Sequence, residues 1–325
     1  EGYRYLLRLL RLSLEMNLEH SNSSTPSFYS LSHETAKIGA DNPDNIYLNA
    51  NIDGEQAYKI YGNIGELDYL SFGIKENRYS EDGTMISLGE IDMRDMEIEN
   101  SGDFILYLGG AETSKNYLPM PESANMLIVR QTYKNRIKQT HAKINIKNLD
   151  SKPIPKLLTT EKLENQLNQT LAFVSGTAST FLKWVNEFKL NHKNSLPLGD
   201  QSFFQAAGGD PKICYLHGYY EFNEDECLQI ITDIPECEYW NFQLENYWME
   251  SLDYRHYPIH INDSSATLED DNSIIITISH SPINIKNNLI TEGRNNGAML
   301  LRWIGSTNNP IPEVKIKKIK SIEIN

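Results

Sequence analysis

The chain has 325 residues, enough for two domains or for one large domain with two cores. Hydrophobic residues make up 39% of the sequence and charged residues 23%, a composition typical of a soluble globular protein. A formal net charge of −14 repels phosphate backbones, so nucleic acid is not expected as a partner.

The cysteines and the hydropathy pattern indicate in which cellular compartment the protein is expected. Cys214, Cys227 and Cys237 are odd in number and irregularly spaced, which predicts free thiols rather than a disulfide framework or a zinc site. No run is long and apolar enough to span a bilayer, so membrane contact is not expected. The cytoplasm is favoured, while a removed signal peptide upstream of Glu1 stays open.

Residues 1–38 are assigned to an N-terminal helix and a linker. Between residues 3 and 18, apolar side chains recur three or four positions apart, with arginines on a separate face. The apolar positions are Tyr3, Leu6, Leu7, Leu10, Leu14 and Leu18. We expect this helix to pack on the chain's own sheet or on another subunit in preference to a membrane.

Residues 39–150 form a first predicted β-domain. Short apolar runs are separated by turn-forming pairs such as Asp53-Gly54 and Asp82-Gly83. The predicted strands are residues 45–51, 57–61, 67–74, 96–98, 104–108, 126–133 and 142–146. Short strands at this spacing indicate a sandwich or a jelly roll.

Helical periodicity returns within a predicted connector, residues 151–212. Apolar residues from Leu163 to Phe188 recur every three or four positions, which predicts a helix over residues 157–192. Thr160 is its expected N-cap. Gly176 is expected either to bend the helix or to split it in two. A loop rich in Gly and Pro completes the connector.

A second β-domain, residues 213–325, repeats the first. The segment Tyr69–Ile74 resembles Tyr239–Leu244, 170 residues later. Four further matches pair Tyr47–Asp53 with Tyr219–Asp225, Met96–Leu108 with Ala266–Ile278, Asn116–Leu118 with Asn287–Leu289, and Met126–Arg130 with Ala298–Arg302. Ordered matches at a nearly constant offset predict an internal duplication. The predicted fold is mainly β: two tandem jelly-roll-like β-sandwiches with an N-terminal helix and a helical connector.

Three of these segments carry a resemblance to a known family. Gly39–Tyr47 has the pattern Gly-x-Asp-Asn-Pro-Asp-x-x-Tyr, and the other two segments are Tyr69–Gly73 and Tyr239–Asp253. Together they resemble the paired domains of unknown function 1254 and 1214, with the likeness to the 1214 domain closest over about residues 210–315. The resemblance implies a double jelly roll that self-associates as a homo-oligomer. It implies no established reaction.

The segment Tyr239–Arg255 is the leading candidate for a functional site. Its first half alternates, with Asn241, Gln243 and Glu245 on one strand face and three apolar residues on the other. One face is therefore predicted to enter a core and the other to form hydrogen bonds. The residues predicted to bind a small organic ligand are Trp240, Asn246, Tyr247, Trp248 and Tyr254.

Acidic residues in the same segment are candidates for catalysis. Asp253 or Glu250 would be the base, and Arg255 or Asn246 would stabilise developing negative charge. The alternative is structural: Asp253 and Arg255 pair with each other, and Trp248 belongs to the core.

Asp41 and Asn42 form a second candidate ligand-binding pair. They directly precede Pro43, and their side chains either face a ligand or cap nearby backbone N–H groups. Arg130 and Arg302 occupy equivalent places in the two repeats, and a repeated arginine is better interpreted as a structural ion pair.

Neither a metal nor a nucleotide cofactor is predicted. The eight histidines form no His-x-His pair, and Pro258 interrupts the spacing of His256 and His260. Gly208-Gly209 lacks the spacing and the lysine of a phosphate-binding loop.

Two functions follow as hypotheses. The first is a small-organic-molecule site lined by aromatic and acidic residues, with acid/base chemistry of the lyase, isomerase or hydrolase type if the protein is an enzyme at all. The second is a non-catalytic oligomeric binding or assembly protein, similar to capsids built from double jelly rolls.

Overall fold

The structure is a computed structural model that describes residues 1–112, 114–150 and 157–322. The chain forms two compact units. The first comprises Glu1–Ala36, Asp44–Ala178 and Gln205–Asp210. The second comprises Lys37–Pro43, Ser179–Phe204 and the residues from Pro211 onward.

The first unit is a β-sandwich preceded by a helix. Helix α1, Gly2–Leu14, continues into a π-helical turn, Glu15–Glu19. The strands are β1 Asn45–Asn51, β2 Tyr58–Asn63, β3 Tyr69–Arg78, β4 Thr84–Asp92, β5 Asp103–Leu108, β6 Tyr117–Leu118, β7 Met126–Thr132 and β8 Lys143–Asn148. They form two four-stranded sheets, in the orders β1-β7-β3-β4 and β6-β5-β2-β8.

Along the chain, one long helix and one short helix follow the last strand of the first unit and precede the first strand of the second. Helix α2 spans Thr160–Asn191, and the division between the units falls within it. Helix α3 is Gln201–Gln205. Gly176 does not split α2, so of the two effects expected of this glycine, a bend or a split, the split is wrong. The cap lies one residue before the predicted Thr160, because Thr159 Oγ1 accepts the backbone N–H of Lys162 at 3.2 Å.

The second unit repeats the sandwich. Its strands are β9 Ile213–Glu221, β10 Glu226–Asp233, β11 Tyr239–Leu244, β12 His260–Asn262, β13 Ser273–Ser279, β14 Asn288–Ile290, β15 Asn296–Ile304 and β16 Glu313–Lys318, followed by a 3₁₀ turn, Ile319–Ser321. The sheet orders are β12-β11-β15-β9 and β14-β13-β10-β16. The fold is therefore mainly β, with two tandem sandwiches, as the sequence predicts.

The ladder registers confirm the duplication. Ser71 lies opposite Arg130 in the first unit, and Asn241 lies opposite Arg302 in the second. The predicted match of Tyr47 with Tyr219 is wrong. In the first unit Tyr47 lies opposite Arg130, and in the second unit the residue opposite the equivalent Arg302 is Tyr215 on β9. The correct partner of Tyr47 is thus Tyr215 and not Tyr219.

A side-chain clamp is duplicated as well. Asn116 Nδ2 donates to the carbonyls of Glu97 and Ile105, and its Oδ1 accepts the N–H of Glu97. In the second unit Asn287 makes the same three bonds, to Thr267 and Ile275. An amide that satisfies three backbone groups fixes the loop before the parallel strand pair in each sandwich.

One strand was assigned to the wrong residues. The predicted strand 96–98 is a loop, and the strand in this region is β4, Thr84–Asp92. Burial along β4 does not alternate, since it is an edge strand with only Met85, Ile91 and Asp92 buried. The periodicity that reveals a half-buried strand is therefore missing from its sequence.

Each sandwich has its own core. Phe72, Ile60 and Leu106 are fully buried in the first, and Trp240, Phe242 and Trp303 lie in the second. Burial of each such side chain contributes about 1.5–3 kcal/mol. Among the described residues, no helix is long and apolar enough to cross a bilayer.

Candidate functional site

The residues after β11 close a tight loop. Asn246 Oδ1 accepts the backbone N–H groups of Trp248 at 2.8 Å and Glu250 at 3.1 Å. Asn246 Nδ2 donates to the Glu250 carboxylate at 2.8 Å, and both side chains are buried. Between them Met249 has a positive φ of 54°. Asn246 and Glu250, both predicted site residues, thus hold this turn in place.

Asp253 and Arg255 pair with each other. Arg255 Nε and Nη2 donate to the two carboxylate oxygens of Asp253, each at 2.8 Å. The pair is partly exposed, and the bidentate guanidinium lowers the pKa of Asp253 to about 2. This geometry matches one part of the structural alternative, the pairing of Asp253 with Arg255, whereas Trp248 is half-buried and not part of the core.

The predicted aromatic residues have separate surroundings. Trp240 is buried in the core, 6.1 Å from the Trp303 ring centroid, on the strand face opposite Asn241. The Tyr247 hydroxyl donates to Asn186 Oδ1 at 2.6 Å. Trp248 and Tyr254 are half-buried, and the Tyr254 ring lies 4.4 Å from Lys37 Nζ.

The segment Lys37–Pro43, which we call the cap segment, packs on the second unit. The sequence analysis divided it between the linker and the first β-domain. Gly39 and Ala40 both have positive φ, and the Ala40 N–H donates to the Met249 carbonyl at 2.7 Å. A Cβ on Gly39 would lie 2.3 Å from the Phe181 ring, so only glycine fits there.

Asp41 and Asn42 are buried within the second unit. The two Asp41 carboxylate oxygens accept the backbone N–H and the hydroxyl of Ser251, at 3.0 and 2.9 Å. Asn42 Oδ1 accepts from Asn241 Nδ2 at 2.9 Å, and Asn42 Nδ2 donates to the Tyr239 hydroxyl at 3.4 Å. The pair thus joins the cap segment to β11.

Arg302 lies beneath the cap segment and binds neutral groups. Its Nη1 donates to Gln243 Oε1 at 2.6 Å and more weakly to Asn241 Oδ1 at 3.4 Å, while Nη2 donates to the Ala40 carbonyl. Gln243 Nε2 donates in turn to the Asp41 carbonyl, at 2.9 Å. A continuous buried network therefore runs across one face of the sheet.

Glu245 ends this network with one oxygen unsatisfied. Oε1 accepts from Gln243 Nε2 at 2.9 Å, whereas Oε2 has no hydrogen-bond partner among the described residues. Burial raises the pKa of Glu245 to about 8, although the positive charge of Arg302 opposes the shift. Burial also raises the pKa of Asp41, against the field of Lys37. Glu245 is therefore a neutral acid at pH 7.

His217 lies on the same sheet face, among aromatic rings. Its imidazole stacks on Phe188 with ring centroids 4.9 Å apart and contacts Phe204 at 4.6 Å. Burial and the nearby Arg302 hold the pKa of His217 well below its usual value. The ring is therefore neutral at physiological pH.

The first unit has different chemistry at the equivalent position. Arg130 lies 3.8 Å from Glu90 and 3.7 Å from Asp210, so carboxylates replace the amides that Arg302 contacts. The buried Lys75 ammonium donates to Glu90 as well. Burial, together with the neighbouring Arg130, lowers the pKa of Lys75. The structural interpretation of the repeated arginines fits Arg130.

An open cleft of about 450 Å³ lies within the first unit. Its floor is apolar and includes Met16, Ile52, Met126 and Phe173, all of them buried. The remaining lining is polar: Asn17, Ser21, Ser23, Asn51, Asp53, Asn77, Ser80, Glu81, Glu122, Ser123, Asn125 and Gln169, with Ala124 beside them. An apolar floor below convergent polar groups is typical of a ligand site.

Close backbone approaches shape the cleft. The π-helical turn Glu15–Glu19 carries Met16 and Asn17 into it, and such turns often occur at functional sites. A Cβ on Gly54 would lie 2.2 Å from the Pro121 carbonyl oxygen, and one on Gly176 would lie 1.7 Å from that of Tyr79. Both glycines therefore allow an otherwise impossible packing.

The amides of the cleft wall are held by the backbone. Asn125 Oδ1 accepts the N–H of Asn77 at 2.7 Å, and Asn125 Nδ2 donates to the Asn77 carbonyl at 3.1 Å. Among the described residues, the acceptors of Asn77 Nδ2 are the sulfurs of Met16 and Met126, both at the long distance of 3.9 Å. The Asn77 amide nitrogen thus has no strong acceptor in this part of the chain.

Sequence reasoning missed several of these residues. Gln243 and Glu245 were placed on the hydrogen-bonding face of β11 but were not chosen as site residues, although the alternation marked them. The cleft left no comparable signal, because its lining comes from five segments, around residues 16–23, 51–53, 77–81, 122–126 and 169–173.

No group of three or more metal-ligating side chains occurs within the described part of the chain. The sequence matches no family model and no curated protein.

The solved structures that are similar to this chain include one of moderate and one of low sequence identity. The crystal structure of an uncharacterised protein from Burkholderia cenocepacia matches with a TM-score of 0.96 and 38% identity, over 99% of this chain and 89% of that one. A protein from Vibrio parahaemolyticus matches with a TM-score of 0.56 and 11% identity, over 98% of each chain. The second match is a likeness of fold alone.

Proposed function

The chain belongs to the same family as the uncharacterised Burkholderia cenocepacia protein, and we propose that it binds a small organic molecule in the cleft of its first unit. The cleft itself, about 450 Å³ in volume, is the observation that carries this proposal. Pockets for small molecules commonly measure about 300–1,000 Å³.

The distribution of polarity in the cleft supports the proposal. Buried methionine, isoleucine and phenylalanine side chains form a floor on which a carbon skeleton can rest. Exposed Ser80, Ser123 and Gln169 surround this floor, and the Asn77 amide offers a donor. A ligand of mixed polarity would satisfy both parts of the surface.

A screen of small polar molecules by ligand-observed NMR tests the proposal. We expect hits whose signals disappear in Ser123→Trp, because an indole at this exposed rim position fills the cleft. Ile137→Trp is the control, since Ile137 is 97% exposed and does not line the cleft. Hits that bind both variants equally would refute a ligand site in the cleft.

A second candidate function is acid/base chemistry in the second unit. Glu245 has the properties of a general acid, namely a pKa of about 8 and a carboxyl oxygen without a partner among the described residues. Asp253 and Glu250 fit this role less well, because one is paired with Arg255 and the other is bonded to Asn246.

Self-association remains a separate proposal. The family resemblance to domains 1254 and 1214 implies a homo-oligomer, and apolar side chains such as Tyr3, Leu7 and Leu171 lie exposed on α1 and α2. Light scattering coupled to size exclusion measures the oligomeric state. A monomer at micromolar concentration would refute self-association and would not bear on the proposal of a ligand site in the cleft.

A further inference from the structure

We infer that the ligand of the cleft is an organic cation, an amine with a short carbon skeleton. This inference rests on the proposed function and names the chemical class of its ligand. Three features support it: the charges of the cleft wall, a buried acceptor in an adjoining cavity and the apolar floor.

Every charged residue that lines the cleft is acidic. Asp53, Glu81 and Glu122 are in the lining, and no lysine, arginine or histidine is among the described residues that line it. The formal net charge of −14 adds a field of the same sign, although salt screens it beyond about 8–10 Å. The cleft therefore favours cations over anions of equal size.

The three carboxylates differ in how far they are already engaged. Asp53 accepts the N–H of Glu55 at 3.0 Å and the Gln56 amide at 2.8 Å, so it stabilises its own turn. Glu81 lies 3.3 Å from Arg78 Nε, which offsets part of its charge. Glu122 is exposed and forms no ion pair with any lysine or arginine in the part of the chain that the structure describes. Glu122 is thus the principal partner for an ammonium group.

A buried acceptor lies in an adjoining cavity. That cavity, of about 360 Å³, shares Ser21 and Gln169 with the cleft and is also lined by Gln166. Gln166 is only 6% exposed; its Nε2 donates to Ser21 Oγ at 2.8 Å. Its Oε1 has no hydrogen-bond partner in the described chain. A buried carbonyl oxygen that lacks a donor is satisfied by a ligand N–H.

The adjoining cavity is electrically mixed. Glu161 and Lys162 both line it, so it does not add a net formal charge to the acidic wall. The preference for a cation therefore originates in the cleft, at Glu122 and Glu81. The methionine and phenylalanine floor receives the carbon skeleton between the polar ends.

Three probes of equal length and different charge test the inference by calorimetry: 1,4-diaminobutane, 1,4-butanediol and succinate. We expect the diamine to bind, the diol to bind at least about tenfold more weakly, and succinate not to bind. Glu122→Gln should weaken diamine binding about threefold, the range of a single exposed ion pair. Glu81→Gln combined with Glu122→Gln should weaken it about tenfold.

Glu99→Gln is the matched control, because Glu99 is exposed in the same unit and lies outside the cleft lining. The inference is overturned if the diol or succinate binds as tightly as the diamine, if the diamine does not bind, or if Glu122→Gln and Glu99→Gln behave alike. If the screen finds only neutral or anionic ligands, and Ser123→Trp abolishes their binding, the cleft is a ligand site as proposed. That result would refute only the inference that its ligand is a cation.

Discussion

At the scale of residues, the second unit concentrates buried polar groups around one arginine. Arg302, Gln243 and the cap segment form a network whose members are nearly all satisfied. Glu245 is the exception, because it is buried, one of its oxygens has no hydrogen-bond partner among the residues that the structure describes, and its pKa is raised. Such a group lowers stability unless it is protonated.

Glu245 should make stability depend on pH. Its pKa rises from 4.5 to about 8 on folding, so the folded state favours the protonated side chain. The contribution of this preference to stability is fully present below pH 4.5 and is lost as the pH rises through 8. Glu245→Gln cannot ionise and should lose less stability over this range. At pH 9 we expect the free energy of unfolding of the variant to exceed that of the wild type by roughly a few kcal/mol. At pH 5 the two proteins should have similar stability.

Denaturant unfolding of both proteins between pH 5 and 9 measures this difference. Asp41 is present in both proteins and its charge acts on Glu245, so the difference between the two profiles reports the titration of Glu245 together with its coupling to Asp41. Parallel profiles would contradict a buried neutral acid at this position.

Asp253 should contribute little to the free energy of unfolding. Its pKa of about 2 reflects the pair with Arg255, so its stabilisation is present above pH 3.8 and is lost as the pH falls through 2. Because the pair is about a third exposed, Asp253→Asn should lower the free energy of unfolding by under about 1 kcal/mol at pH 7. Thermal unfolding at pH 7 and pH 2.5 measures the loss, and a loss above about 2 kcal/mol would contradict it.

At the scale of elements, periodicity predicted α2 well but not the role of its glycine. The predicted helix 157–192 is observed as Thr160–Asn191. A glycine inside a helix is compatible with a bend, a break or a close contact, and the sequence cannot distinguish these. The carbonyl of Tyr79, which decides the matter, is about a hundred residues away along the chain.

Gly176→Ala should therefore destabilise the protein although alanine is the better helix former. The propensity gain is about 1 kcal/mol, whereas the new Cβ would lie 1.7 Å from the Tyr79 carbonyl oxygen and force α2 outward. We expect a net loss of about 2 kcal/mol or more in the free energy of unfolding.

The neighbouring exposed residue provides the control for that substitution. Ser175→Ala should be neutral or slightly stabilising in the same denaturant titration, because its side chain faces solvent. Equal effects of the two substitutions would show that α2 does not approach β3 and its following turn as closely as described.

At the scale of the whole molecule, the duplication could be read from the sequence because a sandwich repeated at a constant offset leaves ordered matches. The mismatch of Tyr47 arose where loop lengths differ between the repeats, so the offset of 170 to 172 residues no longer applied. The cleft could not be read in the same way. Its lining residues come together only through the tertiary fold, and polar side chains in five distant segments form no motif.

A crystal structure of the protein with 1,4-diaminobutane would show directly whether the cleft binds an organic cation. We expect ligand density in the first-unit cleft, with one ammonium nitrogen within about 4 Å of the Glu122 carboxylate. An ordered cleft without ligand density, in a crystal that binds the diamine elsewhere on the chain, would contradict it.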